Sequence, residues 1–166
     1  GWNHIYANGI NGVYTTGQLW IGKSADSANG DETTAVYRNG ADGVHTDGGT
    51  VQGDHLDCYG NSYSGISAMK NESLDQAATI ELNAPVTSHE NGHSGLYLKG
   101  GTRATVSGGS FTENGAEHAE IYAGSGTDTT LKDGVEVKTS ADKTLQNSGL
   151  RIAVMLDGVD VFRTDS

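Results

Sequence analysis

Covalent cross-links are the first thing this chain lacks. Its single cysteine, Cys58, excludes an internal disulfide and leaves the redox compartment unreadable from cysteine pairing. Its place in an apolar rhythm marks a buried structural thiol. Long hydrophobic runs are missing too: no stretch approaches the roughly eighteen apolar residues of a membrane helix. The opening GWNHIYANG has neither the basic nor the apolar region of an export signal, so any such signal is expected to have been removed or to lie outside this sequence. Cations are scarce, with 10 Lys and Arg against 21 Asp and Glu and a net charge of −11. The carboxylates are scattered, with no run of about five or six that would mark an acidic tail. Solubility accounts for the charge, and nucleic acid or an anionic membrane, whose phosphates would be repelled, is not expected as a partner. Helix-forming material is thin as well. The 25 glycines, one proline and abundant Thr, Ser, Asn and Asp favour many short strands and tight turns.

What the chain has is a refrain. NGINGVY at Asn8 returns as NGADGVH at Asn39, NSYSGIS at Asn61, NGHSGLY at Asn91, NGAEHAE at Asn114 and, shortened, NSGLR at Asn147. The glycine slot falls at Gly12, Gly43, Gly65, Gly95, His118 and Gly149, in steps of 31, 22, 30, 23 and 31 residues. Self-similarity at such a period marks a stack of units, none of which can bury its apolar face alone. Residues 1–166 are thus expected to form one domain, itself open to being a piece of a longer solenoid.

Within each unit, apolar and polar residues alternate with the period of strands. One strand follows the refrain, as in GVYT at Gly12. A second runs from QLWI (18–21) in the first unit to VDV (159–161) in the last, and a third precedes the next asparagine, as in AVY (35–37). The pattern predicts an all-β fold, a right-handed parallel β-helix of about six three-strand coils. Counting back three residues from each asparagine gives the inward column Ile5, Val36, Cys58, Ser88 and Phe111. After the refrain, the inward columns are Val13, Val44, Ile66, Leu96, Ala119 and Leu150, and Thr15, Thr46, Ala68, Leu98, Ile121 and Ile152, all on one side of the pleat. The asparagines are expected to take the left-handed bend between sheets and to bond to backbone or to the asparagine of the next coil. Tyr6, Tyr37, Tyr59 and His89, two residues before each asparagine, form a column that stacking alone would stabilise. Excess length falls in residues 23–34, 70–76 and 139–146, which should bulge as loops.

Candidate functional residues lie where the refrain stops repeating. Its outward row reads Tyr14, His45, Ser67, Tyr97, Glu120 and Arg151, and the row beside it Thr16, Asp47, Met69, Lys99, Tyr122 and Ala153, with Lys70 close by. Coils about 4.8 Å apart put neighbours in either row in contact. Aromatic rings offer flat faces to sugar C–H groups, and Lys or Arg can pair with uronates. His45, Asp47, Tyr97 and Lys99 are the catalytic candidates, because a Tyr or His beside a Lys suits proton abstraction next to a neutralised carboxylate. Tyr14, Lys70, Glu120, Tyr122 and Arg151 are the substrate-binding candidates. Hydrolysis by Asp47 and Glu120 is disfavoured, since three coils separate them by about 14 Å, beyond the reach of glycosidase carboxylate pairs. HENGH (89–93) crosses the asparagine turn and cannot imitate a helical zinc motif, so no metal site is expected. Calcium stays open as a cofactor only through the loose acidic segments GDE (30–32), GDHLD (53–57) and DTTLKD (128–133).

On the refrain, the three-strand coil and the asparagine turn, the chain resembles the pectin-lyase-like right-handed β-helix superfamily, and its repeats are most similar to those of mannuronan C5-epimerases and phage tailspikes. The resemblance spans nearly all of the chain and implies extracellular or phage-surface work on acidic polysaccharides along one parallel sheet. The Asp-Pro-His-Glu motif of the epimerases and the Asn-Thr-Asp and Asp-Asp pairs of polygalacturonases have no counterpart, and HTDGG (45–49) is the nearest site-like run. The leading expectation is an extracellular module that recognises an acidic polysaccharide, with lyase or epimerase chemistry as its catalytic form. The alternative is a non-catalytic shaft of a tailspike or surface fibre, a homo-oligomer in that case. An ice-binding face would need a regular threonine array, which the mixed outward rows do not supply.

Overall fold

The computed structural model describes residues 3–23, 32–115, 118–124, 126–132, 134–138, 150–152 and 159–164, the last two segments through their backbone alone. Loops expected at 139–146 and over most of 23–34, and the sixth asparagine, Asn147, lie outside the described residues.

All described elements are strands. The first coil comprises β1 (Asn3–Tyr6), β2 (Val13–Thr15) and β3 (Gln18–Ile21), and the second β4 (Thr34–Tyr37), β5 (Val44–Asp47) and β6 (Thr50–Gly53). The third has β7 (Leu56–Tyr59), β8 (Ile66–Met69) and β9 (Ala78–Leu82), the fourth β10 (Val86–His89), β11 (Leu96–Leu98) and β12 (Thr102–Val106), and the fifth β13 (Gly109–Thr112), β14 (Ile121–Ala123) and β15 (Asp128–Leu131). After them come β16 (Val135–Lys138), β17 (Leu150–Ile152) and β18 (Val159–Thr164). Equivalent strands pair in parallel from coil to coil, giving a first sheet β1-β4-β7-β10-β13-β16, a second β2-β5-β8-β11-β14 and a third β3-β6-β9-β12-β15. The fold is a parallel β-solenoid, as the alternating sequence requires.

Among the described residues the stack holds five three-strand coils, one fewer than expected. GLRI and VDV do not continue the second and third sheets in parallel: β18 pairs antiparallel with β15, and β17 antiparallel with β18. The exposed backbone groups of β15 accept a strand of either direction, and an antiparallel hairpin needs only a short connection.

Registers follow the inward columns. Ile5, Val36, Cys58, Ser88 and Phe111 are successive partners, and so are Val13, Val44, Ile66 and Leu96. Burial of the Cys58 thiol pushes its pKa far above the usual value, which keeps it inert. Ser88, the polar member, donates its hydroxyl to Gly95 O at 2.8 Å.

One chain of amides ties the coils together. The backbone N–H and the Nδ2 of Asn8 both donate to Asn39 Oδ1, at 3.1 and 2.9 Å. Asn39 does the same to Asn61, Asn61 to Asn91, and Asn91 to Asn114. The second Nδ2 proton reaches back to the carbonyl three residues before the preceding asparagine, as from Asn61 to Val36 O at 3.1 Å. The left-handed bend sits one residue earlier than expected. Ala7, Arg38, Gly60, Glu90 and Glu113 have φ between 52° and 63°, because each asparagine must turn its amide inward while the residue before it turns the chain. Glycine slots are glycine because the ladder fills their space. A Cβ on Gly43 would lie 2.6 Å from Gly65 O and 2.9 Å from Asn61 Nδ2.

The fifth coil departs from the expected register. Ile121, not Ala119, pairs with Leu96, and Tyr122 pairs with Tyr97, so the turn there carries two extra residues and Glu120 falls in the glycine slot. Glu120 is fully buried instead of outward. Its Oε2 accepts from Asn114 N at 2.9 Å and Asn114 Nδ2 at 2.6 Å, the bonds that the asparagine of a following coil would otherwise accept. Glu120 ends the ladder and is no part of a binding face.

Two stability outcomes follow. Asn61→Ala removes the acceptor of two buried N–H groups and two donated bonds, and should cost roughly 3–5 kcal/mol in urea unfolding; a loss under about 1 kcal/mol would contradict the ladder's role. Glu90→Gly relieves a left-handed non-glycine residue with an exposed side chain and should raise stability by about 0.5–1 kcal/mol in the same assay.

Candidate functional site

The second sheet presents the outward row Tyr14, His45, Ser67, Tyr97 and Tyr122, one residue per coil. Asp47 and Met69 pair in the row beside it, and Lys99 follows the end of β11 on the same side. Of the sequence candidates, His45, Asp47, Tyr97, Lys99, Tyr14 and Tyr122 are therefore gathered on one face. Tyr122 stands in the first row rather than the second, a consequence of the two extra residues in its turn. Arg151 belongs to β17, which is joined to the third sheet, so its strand is not part of this face. Lys70 lies at its edge, but Asp75 takes its ammonium in a close ion pair and Glu72 Oε2 lies 3.7 Å away. That loop, residues 70–76, is closed by an Asn71 to Gln76 bridge, and the hydrogen bond from Lys70 keeps Asp75 below the usual carboxylate range.

Rings on this face stack in two pairs. Tyr14 lies over His45 with centroids 5.8 Å apart, and Tyr97 over Tyr122 at 4.8 Å. Between the pairs, at Ser67, opens a cleft of about 240 Å³. His45, Ser67 and Tyr97 form its floor and ends, Lys99 and Met69 one side, and Asp42, Tyr63 and His93 the other. The last three come from inside the refrain, between its asparagine and its glycine. Those turns stack by backbone bonds such as Tyr63 N to Ala41 O and His93 N to Tyr63 O, so their side chains overhang the sheet. Ser64 N donates to Asp42 Oδ1 at 2.8 Å, which fixes that carboxylate.

His45 is held between two carboxylates. Its Nδ1 lies 3.2 Å from Asp42 Oδ2 and 2.9 Å from Ser67 Oγ, and its Nε2 3.2 Å from Asp47 Oδ1. The bond to Asp42, reinforced by Asp47, raises the imidazole pKa above its ordinary value despite burial. Tyr14 donates its hydroxyl to Asp47 Oδ2 at 2.8 Å, and that bond raises the phenol's pKa. Burial raises the Tyr97 phenol likewise. His93 moves the other way, pushed below its usual value by burial and by His118 stacked on it at 3.5 Å.

Sequence reasoning missed Asp42, Tyr63 and His93. The available signal was that the third and fourth letters of the refrain vary as freely as its last one: Ala41 and Asp42, Tyr63 and Ser64, His93 and Ser94. His89 and His93 of HENGH face different sheets. His89 bonds to Asp57 at 3.0 Å under the stacked column Tyr6, Tyr37, Tyr59 of the first sheet, while His93 overhangs the cleft. Among the described residues no group of three or more His, Cys, Asp or Glu side chains is placed to hold a metal ion. Comparison with family models, with curated proteins and with solved structures finds no match.

The charge on His45 carries a pH signature. Its native pKa lies above the unfolded value of about 6.5, so its stabilisation is complete below that pH and fades as pH rises through the native value. An NMR titration of His45 should give a midpoint above about 6.5, and His45→Gln should flatten the fall in stability over that window. A midpoint at or below the unfolded value would contradict the two-carboxylate cradle.

Proposed function

We propose that this chain is a glycan-recognition module of the pectin-lyase-like β-helix kind, and that its second sheet grips an acidic polysaccharide outside the cell or on a phage particle without cutting it. The observation that carries the reading is the pairing of Tyr14 with His45 and of Tyr97 with Tyr122 on either side of a cleft bordered by an exposed lysine. Stacked rings supply flat apolar faces for pyranose C–H groups. Lys99 has no carboxylate partner among the described residues and can pair with a uronate, while the His45 charge adds a second positive centre.

Protonation states argue against proton abstraction by the Tyr14, Tyr97 and His45 side chains, while His93, the imidazole held below its ordinary pKa, is packed against Tyr97 and His118. Removing a proton beside a sugar carboxylate needs a base that is free near neutral pH. The Tyr14 and Tyr97 phenols are held in their protonated forms, and His45 is biased to carry a proton on both nitrogens. Lys70, a binding candidate by sequence, is occupied by its own loop. With one free lysine and one imidazolium, the face suits a polymer whose acidic groups are sparse among neutral sugars better than a dense polyuronate, which the net charge of −11 would repel.

Calorimetry against alginate, pectate, bacterial capsule polymers and neutral dextran is the test. Binding to an acidic polymer is expected, strongest for sparsely charged capsules, with no unsaturated sugar released. Tyr122→Ala and Lys99→Ala should each weaken it, the tyrosine change by about tenfold. Silence across the panel, or accumulation of unsaturated product, would sink the reading.

A further inference from the structure

One rung is missing from the aromatic row of the second sheet, and we propose that the gap at Ser67 is a subsite for a single pyranose ring, entering edge first between His45 and Tyr97. The inference deepens the glycan-binding reading and rests on it.

The first sheet supplies the comparison. There the rings of Tyr6, Tyr37, Tyr59 and His89 fill four successive coils, with centroids 5.1, 4.8 and 5.2 Å apart. On the second sheet the same coil spacing carries rings at Tyr14, His45, Tyr97 and Tyr122, but Ser67 stands between the second and third. Two coil steps separate the His45 and Tyr97 strands by roughly 9.6 Å. A ring seated midway lies about 4.8 Å from each neighbour, which is the spacing that the protein's own stacked tyrosines adopt. The cleft of about 240 Å³ lies at this rung.

The rim selects the kind of ring. Asp42, His93 and Lys99 line it, and a flat hydrocarbon ring would cover them without offering a hydrogen bond. A pyranose presents C–H groups on both faces and hydroxyls around its edge. Its faces meet His45 and Tyr97, an edge hydroxyl donates to the Asp42 carboxylate, and an acidic substituent reaches the Lys99 ammonium. Because the flanking rings block the chain along the solenoid axis, the polymer leaves the slot outward. The subsite therefore reads a chain end or a side branch, not the middle of a strand laid along the sheet.

Two measurements on the whole chain decide the matter. Ser67→Tyr fills the rung from within. It should stay folded, because two ring contacts replace the hydroxyl's bond to His45 Nδ1, and should lose at least about tenfold in affinity for the best polymer of the panel. Native affinity in the folded variant would overturn the subsite. Independently of any variant, glucuronic acid and oligomers from the disaccharide to the hexasaccharide that carry it at the end of a neutral glucose chain should bind with affinity that levels off by the disaccharide. Their terminal-ring protons should shift upfield in NMR spectra from ring currents on both faces. A silent monosaccharide with affinity climbing steadily to the hexasaccharide would also overturn the subsite, and would leave flat binding along the sheet intact. A native chain that binds no glycan overturns the subsite and the proposed function together.

Discussion

Everything in this fold hangs on an inward-facing asparagine that gives two protons to the next coil, one from its backbone and one from its side chain, and takes two from the coil before. From Asn39 to Asn91 each asparagine side chain accepts a backbone N–H and an Nδ2 proton and passes the same pair onward. Buried amide groups left unpaired are costly, so these positions tolerate little else. The constraint propagates outward along the chain. Turning the amide inward forces the preceding residue into the left-handed region, which Arg38, Glu90 and Glu113 occupy without being glycine. The space taken by the next rung then forbids a Cβ at Gly12, Gly43, Gly65 and Gly95. The refrain is thus one interaction written out in sequence.

The same ladder builds the functional face without contributing a residue to it. By fixing where each coil turns, it aligns the strands that follow, so side chains one coil apart become partners at a constant spacing. Rings in such a register stack whether or not they bind anything. The turn residues between asparagine and glycine are stacked by the same backbone bonds, and they carry Asp42, Tyr63 and His93 over the sheet. In the proposed function, recognition comes from two variable rows on an invariant frame, one on the strands and one on the turns.

How much of this could be read in the sequence depends on how far each feature repeats. The inward columns before the asparagine, the tyrosine stack and the three-strand coil were legible because five or six copies vote for one register. Glu120 was not, because a two-residue insertion in a single turn breaks the count, and a carboxylate in the glycine slot looks like an outward residue until the end of the ladder is seen. Arg151 failed for a related reason: GLRI imitates the refrain's strand locally, yet β17 pairs antiparallel with β18. Asp42 and His93 were overlooked because variation inside a turn reads as a loop's indifference. Only the stacking of the turns gives that variation a direction.

Ser67 sharpens the distinction between what folding requires and what it permits. A serine between two stacked pairs forgoes two ring contacts of about 0.5–1.5 kcal/mol each. Its hydroxyl bonds instead to His45 Nδ1, and a hydrogen bond to a charged group nets about 1.5–3 kcal/mol, as much as the two ring contacts. The first sheet fills four successive rungs with rings before Thr112 ends the row. Folding therefore accounts for a serine here as well as for a ring, and what it leaves open is the space beside it. The open rung lies beside a histidine cradled by two carboxylates, with Lys99 on its rim. A bond to the imidazole and an open rung are two descriptions of the same serine, and the proposed ligand slot rests on the second.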